Sequence, residues 1–139
     1  MTALILLSHG DLSAALLRTA EGIVGPIENA RAISNSGKSP ETIAEDVREA
    51  VASFDEASGV MIMVDLFGSS CWRCGVTGGA GVPDDLNLPC AVISGVNLGA
   101  VLSFSQKRDT MPLQELAETM ANDARRGISS PKYFAKELA

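Results

Sequence analysis

The chain has 139 residues, of which 46% are hydrophobic and 20% charged, and its formal net charge is −6. This composition predicts one folded domain over residues 1–139 and excludes a disordered chain. The acidic balance excludes a general nucleic-acid binder, and the single histidine, His9, excludes any zinc site that needs two histidines.

Aliphatic runs alternate with helical spacings along the whole chain. They predict, in chain order, a strand over residues 3–8, a helix after Asp11, a strand over 29–34, a helix after Ser39, a strand over 59–65, a helix after Ser70, a strand over 88–94, a helix after Asn97 and a helix from Pro112. Asp11 and Ser39 are the expected N-caps of the first two helices. Four glycines within residues 75–81 predict that any helix there is short or irregular.

This order predicts an α/β fold, a three-layer α/β/α arrangement around a mainly parallel sheet of four strands. The unbroken apolar run at residues 60–64 is typical of a strand that is covered on both faces. Right-handed crossovers place the carboxyl ends of all strands at one edge, where ligands bind near a topological switch point. No apolar run approaches the roughly 18 residues that a membrane-spanning helix needs, so we expect a cytoplasmic protein without membrane insertion.

Polar residues follow three of the strands, at positions 8–10, 65–70 and 94–97. The fold would bring His9 and Asp65 to one edge, although 56 positions separate them. A carboxylate beside an imidazole fixes the tautomer of the ring and leaves its other nitrogen as a nucleophile or base. The helix N-termini after these strands are suited to bind phosphate. Two plainer interpretations stay open: His9 as a surface or packing residue, and Asp65 as the cap of the next helix.

The motifs that carry these residues resemble a known family. LILLSHG at residues 4–10, LLRTAE at 16–21, GVMIMVDLFGSS at 59–70 and SGVNL at 94–98 are similar, in order and spacing, to the IIA domain of the mannose/fructose/sorbose class of the sugar phosphotransferase system (PTS). The resemblance extends from about residue 3 to residue 127.

The resemblance implies a phosphocarrier in which His9 accepts a phosphoryl group from the protein HPr. His9 then passes the group to a IIB domain or another acceptor, for sugar uptake or regulation, while Asp65 hydrogen-bonds the imidazole. It also implies a homodimer in which the C-terminal tail over residues 128–139 is exchanged between subunits, with residues 128–134 as the candidate for a fifth strand. No metal or cofactor is required. The candidate phosphoryl-binding residues are Gly10, Phe67, Gly68, Ser69, Ser70 and Asn97.

The sequence departs from the family pattern directly after Ser70. Cys71 stands where the family usually has proline, and Cys71 and Cys74 form a C-x-x-C motif at an expected helix start. A helix N-terminus can lower the pKa of a thiol, so a redox or redox-sensing protein is an alternative function. A third alternative is a module that binds a small molecule at the same edge without catalysis. Cys90 with this pair is weak evidence for a metal site.

Overall fold

The structure is a computed structural model that describes residues 1–80 and 88–132. These residues form four strands, each followed by a helix, and a fifth helix at the end. The strands are β1 (Thr2–Ser8), β2 (Ala30–Ser34), β3 (Gly59–Val64) and β4 (Cys90–Ile93). The helices are α1 (Leu12–Val24), α2 (Pro40–Ser53), α3 (Ser70–Ala80), α4 (Leu98–Lys107) and α5 (Leu113–Arg126).

All four strands are parallel and lie in the order β2-β1-β3-β4, which confirms the α/β fold class. Strand β1 lies between β2 and β3, and Leu4 is in register with Ala30 on one side and Met61 on the other. The two central strands are buried along their whole length, as their unbroken apolar runs predict.

Alternate residues of the central strands build two cores, one on each face of the sheet. Ile5 and Ile62 point into a cluster with residues of α2 and α3. Leu4 and Met61 point into a second cluster with residues of α1, α4 and α5. The sheet is therefore the middle layer of three, with two helices on one face and three on the other.

Helix starts follow the predicted positions, with one different cap. Ser39 caps α2, because its Oγ accepts a hydrogen bond from the Thr42 N–H at 3.1 Å. Asp11 stands at the N-cap of α1, but its side chain makes no capping bond. The Ser13 N–H instead donates to Ser8 Oγ at 2.7 Å. The cap of α1 thus comes from the end of β1, which ties helix and strand together.

The glycine-rich segment forms a regular helix, so the prediction of a short or irregular helix is wrong. Helix α3 runs for 11 residues through Gly75, Gly78 and Gly79. A Cβ atom at Gly78 would lie 2.7 Å from Val47 Cβ of α2. The glycines allow α3 to approach α2 and the sheet closely, and this packing compensates for their low helix propensity.

The chain beyond α5 has no regular secondary structure over residues 128–132. The remainder of the proposed exchanged strand lies outside the described residues. Within residues 1–80 and 88–132, no helix has both the length and the apolar character needed to span a bilayer.

Candidate functional site

The carboxyl ends of β1 and β3 lie side by side at the point where the strand order reverses. The chain goes from β1 to β2 on one side and then crosses to β3 on the other. Such a switch point opens a crevice between the loops that follow the two strands. His9 directly follows β1 and Asp65 directly follows β3, so the fold places both at this crevice.

The Asp65 carboxylate holds His9 through a single oxygen atom. Asp65 Oδ2 lies 2.9 Å from His9 Nδ1 and also accepts the His9 backbone N–H at 3.0 Å. The Asp65 side chain is 11% exposed, whereas that of His9 is 45% exposed. Among the described residues, Nε2 of His9 has no hydrogen-bond partner. Asp65 therefore holds the ring at Nδ1, whereas Nε2 is without such a bond on a partly exposed side chain, as a nucleophilic histidine requires.

The plainer interpretation of Asp65 as a helix cap is wrong, because Ser69 has that role. Ser69 Oγ accepts the Trp72 N–H at 3.2 Å and donates to the Leu66 carbonyl at 2.7 Å. This leaves the hydroxyl of Ser70 exposed at the first position of α3. Ser70 and the first turn of α3 thus offer hydrogen-bond donors beside the His9–Asp65 pair.

Glycines shape both loops at the crevice. Gly68 has φ +74° and Gly10 has φ +54°, values that favour glycine over other residues. Phe67, between Asp65 and Gly68, is 72% exposed, and its ring centroid lies 5.2 Å from that of Trp72. The loop after β3 therefore carries an exposed aromatic side chain two residues after Asp65.

Asn35, which is not among the residues predicted for the site, positions the loop after β1. Its Oδ1 accepts the Gly10 N–H at 3.2 Å, and its own N–H donates to the Ser8 carbonyl at 3.0 Å. Asn35 follows β2, which neighbours β1 in the sheet. The position of Asn35 directly after β2, a parallel strand that ends at the same edge as β1, is the sequence signal that could have identified it.

Asn97 follows β4, and both the oxygen and the nitrogen of its side-chain amide form hydrogen bonds to helices. Oδ1 accepts the Ala100 N–H at 3.0 Å and caps α4, while Nδ2 donates to the Ala124 carbonyl of α5 at 2.8 Å. These bonds give Asn97 a structural role. Phosphoryl binding by Asn97 stays a prediction.

The two cysteines of the C-x-x-C motif are buried, and their surroundings raise the pKa of both thiols. Burial, the Asp65 carboxylate and Cys74 raise the pKa of Cys71 to about 11. Burial and Glu41 raise the pKa of Cys74, whose Sγ donates to the Pro40 carbonyl at 3.3 Å. A redox-active motif needs at least one thiol with a lowered pKa. The surroundings of Cys71 and Cys74 thus argue against the redox alternative.

Comparisons with known proteins identify the family to which the chain belongs. A model of the EIIA-man family, described as the PTS system fructose IIA component, matches residues 3–121. The mannose-specific EIIAB component of Escherichia coli K12 is 30% identical over an alignment of 139 positions, which covers 99% of this chain and 42% of that protein. The chain therefore spans less than half the length of the curated relatives that it matches.

Two solved structures share the fold. An EIIA component of the phosphotransferase system from Streptococcus agalactiae superposes with a TM-score of 0.82 at 20% identity, over 94% of this chain and 97% of that one. A mannose/sorbose-specific IIA subunit from Enterococcus faecalis gives 0.80 at 16% identity, over 96% of each chain. The match over residues 3–121 shows that this chain belongs to the EIIA-man family of PTS IIA components, phosphotransferases that carry a phosphoryl group on histidine.

Proposed function

We propose that His9 is the phosphoryl carrier of this IIA component. It receives the group from HPr and passes it to a IIB domain or another acceptor, for sugar uptake or its regulation. The observation that carries this proposal is the 2.9 Å contact between His9 Nδ1 and Asp65 Oδ2 at the switch point. This contact commits one ring nitrogen and leaves Nε2 for the phosphoryl group.

The reaction needs positioning and charge stabilisation rather than a cofactor. The lone pair of His9 Nε2 forms the new bond to phosphorus. The bond between phosphorus and the donor lies in line with it and breaks as its electron pair returns to the donor. Positive charge develops on the His9 ring as the new bond forms, while Nδ1 keeps its proton towards Asp65. The Asp65 carboxylate, which is mostly shielded from solvent, stabilises this charge, and the transfer to the next acceptor reverses the same step.

The loop after β3 supplies the groups for the phosphoryl oxygens. The Ser70 hydroxyl is exposed, and the N-terminus of α3 carries backbone N–H groups and a partial positive charge. Gly10 and Gly68 allow a close approach of the backbone, and Phe67 and Ser69 hold the shape of the loop.

Protein partners account for the apolar surface around the site. Leu12, Leu66 and Phe67 are large, exposed hydrophobic residues within three positions of His9 or Asp65 in the chain. A small carrier that must dock on two successive partners uses such a surface around its transferable group. In this proposal residues 1–139 form one cytoplasmic IIA domain and function as a homodimer.

Phosphorylation in a reconstituted system tests the assignment. The protein is incubated with phosphoenolpyruvate, Enzyme I and HPr, and acid-labile phosphate is measured in the wild type and in His9→Ala. Because His9 is the only histidine of the chain, the variant removes every possible phosphohistidine. We expect acid-labile label on the wild type and none on His9→Ala.

Two other outcomes have distinct meanings. A wild type that takes no label contradicts the phosphocarrier function and favours a non-catalytic binding module. Label that persists in His9→Ala, or that is stable in acid as a serine phosphate would be, contradicts the assignment of His9 alone.

A further inference from the structure

The thiol of Cys71 lies beside the His9–Asp65 pair and has no role in the phosphoryl transfer described above. One ring nitrogen of His9, one carboxylate oxygen of Asp65 and Cys71 Sγ all lie within 4.8 Å of one another. The three residues come from three separate elements, the ends of β1 and β3 and the first turn of α3. The fold, and not the local chain, therefore brings these three donor atoms together.

The second oxygen of the Asp65 carboxylate is a buried acceptor without a partner. Oδ2 carries both hydrogen bonds from His9, whereas Oδ1 is buried and has no hydrogen-bond partner within residues 1–80 and 88–132. A buried carboxylate oxygen without a partner is unfavourable, and a bound ion is one of the arrangements that satisfies it. This orphan oxygen belongs to the same side chain that contributes to the three-atom cluster.

Zinc in proteins is bound by histidine nitrogen, carboxylate oxygen and cysteine sulfur, and the cluster offers one atom of each type. Zinc takes four tetrahedral ligands at about 2.0–2.3 Å, which places neighbouring ligand atoms roughly 3.3–3.6 Å apart. Separations of at most 4.8 Å come within reach of this geometry through small side-chain rotations. His9 is 45% exposed, so the fourth position would face solvent and a cation can enter from that side.

We propose that His9, Asp65 and Cys71 form a binding site for Zn²⁺ or a similar thiophilic divalent cation, and that an ion bound there blocks phosphoryl acceptance. Coordination at Nε2 occupies the lone pair that attacks phosphorus. Coordination at Nδ1 displaces the proton between His9 and Asp65. In both modes Cys71 binds as a thiolate, and the ion displaces the thiol proton to solvent. Either mode removes something that the transfer needs, the free lone pair on Nε2 or the proton on Nδ1. This regulatory half of the proposal rests on the proposed function.

Cobalt spectroscopy tests the metal site independently of phosphorylation. The protein is titrated with Co²⁺ alone under reducing conditions, and absorbance is recorded for the wild type, Cys71→Ser, His9→Gln and the matched control Cys74→Ser. Cys74 lies on the same helix, but its thiol donates to the Pro40 carbonyl and is outside the cluster. Competition with Zn²⁺ then gives the zinc affinity of each protein.

We expect visible ligand-field bands and a near-ultraviolet thiolate-to-cobalt band in the wild type and in Cys74→Ser. Cys71→Ser should lose the thiolate band, and both site variants should bind zinc at least about 10-fold more weakly. His9 is exposed, so His9→Gln keeps the test valid if the buried Cys71→Ser variant does not fold. A wild type without these bands, or a thiolate band that survives Cys71→Ser, overturns the site.

Single-turnover transfer from isolated phospho-HPr tests the regulatory half. We expect Zn²⁺ to inhibit the wild type and Cys74→Ser at the same concentration. Relative to its own zinc-free rate, Cys71→Ser should need at least about 10-fold more zinc for half inhibition. Equal inhibition of all three proteins overturns the regulatory role. A wild type that accepts no phosphoryl group without zinc contradicts the proposed function, while the cobalt result still decides the metal site.

Discussion

The two hydrogen bonds on Asp65 Oδ2 make this carboxylate the group that orients His9. We expect Asp65→Asn to reduce the rate of phosphoryl acceptance by roughly 10²-fold, because a neutral amide cannot stabilise the charge that develops on the imidazole. The rate is measured as acid-labile phosphate formed in a single turnover from phospho-HPr.

Asp46→Asn is the matched control for this substitution. Asp46 is a partly exposed carboxylate on α2 that pairs with Lys38 at 2.8 Å, so its loss should leave the transfer rate unchanged. An Asp65→Asn protein that transfers at the wild-type rate would show that His9 does not depend on this carboxylate.

Ser69 and Ser70 are adjacent, but their hydroxyls have different surroundings. Ser69→Ala removes the cap of α3 and should lower the free energy of unfolding by about 1 kcal/mol. Ser70→Ala removes an exposed hydroxyl and should leave stability unchanged. It should slow phosphoryl acceptance about 10-fold, the effect of one hydrogen bond to a charged group. Urea unfolding and single-turnover transfer, measured on both variants, separate the two roles; a reversed pattern contradicts them.

The sequence indicated the meeting of His9 and Asp65 because both follow buried strands, and the ends of parallel strands share one edge. It did not indicate the contact between Asn35 and Gly10, because this depends on the direction of one amide in a turn. The position of Cys71 was not predictable for a similar reason. The path of the loop after β3 decides which side of the first turn of α3 faces the crevice.

Helix α3 shows how tertiary packing overrides local propensity at the scale of an element. Gly78→Ala places a Cβ atom 2.7 Å from Val47 Cβ and 2.9 Å from the Ala44 carbonyl oxygen, so α2 and α3 must separate. We expect a loss of about 1–3 kcal/mol in the free energy of unfolding, measured by urea denaturation.

Gly22→Ala is the control within a helix that has room for the methyl group. A Cβ atom at Gly22 in α1 would meet nothing within 4 Å. Alanine there should stabilise the protein by about 0.5–1 kcal/mol through its higher helix propensity. If both substitutions stabilise the protein, the close approach of α2 and α3 is wrong.

Caps were predictable where the signal is local in the chain. Ser39 with Pro40 directly after it is such a signal, and both have the predicted positions. Asp11 was the local candidate for α1, but Ser8 supplies the hydroxyl from the last residue of β1. A cap that comes from a neighbouring strand depends on tertiary geometry, which a chain-order argument does not contain.

At the scale of the whole molecule, the alternation of strands and helices was enough to predict the three layers, whereas the strand order required the structure. The polar contacts between helices of one layer were not predictable either. Asp123 of α5 accepts hydrogen bonds from Lys107, at 2.8 Å, and from Ser103, both on α4. This carboxylate therefore joins the two helices that cover one face of β3 and β4.

The Asp123 contacts predict a dependence of stability on pH. The hydrogen bonds from Lys107 and Ser103 hold the pKa of Asp123 below its ordinary value of 3.8. A carboxyl group whose pKa is lower in the folded protein contributes stability above its unfolded pKa. That contribution is lost as the pH falls through the folded pKa. Asp123→Asn should thus be less stable than the wild type near neutral pH, and the difference should shrink below about pH 4.

Urea unfolding of the wild type and Asp123→Asn at neutral and acidic pH measures this difference, because the two proteins share every other titratable group. Carboxyl NMR titration adds a control. In Lys107→Met the pKa of Asp123 should rise towards its ordinary value, because Lys107 contributes most among the groups that lower it, which also include Ser103 and Arg126. A stability difference that stays constant into acid would show that Asp123 does not join α4 to α5 through its charge.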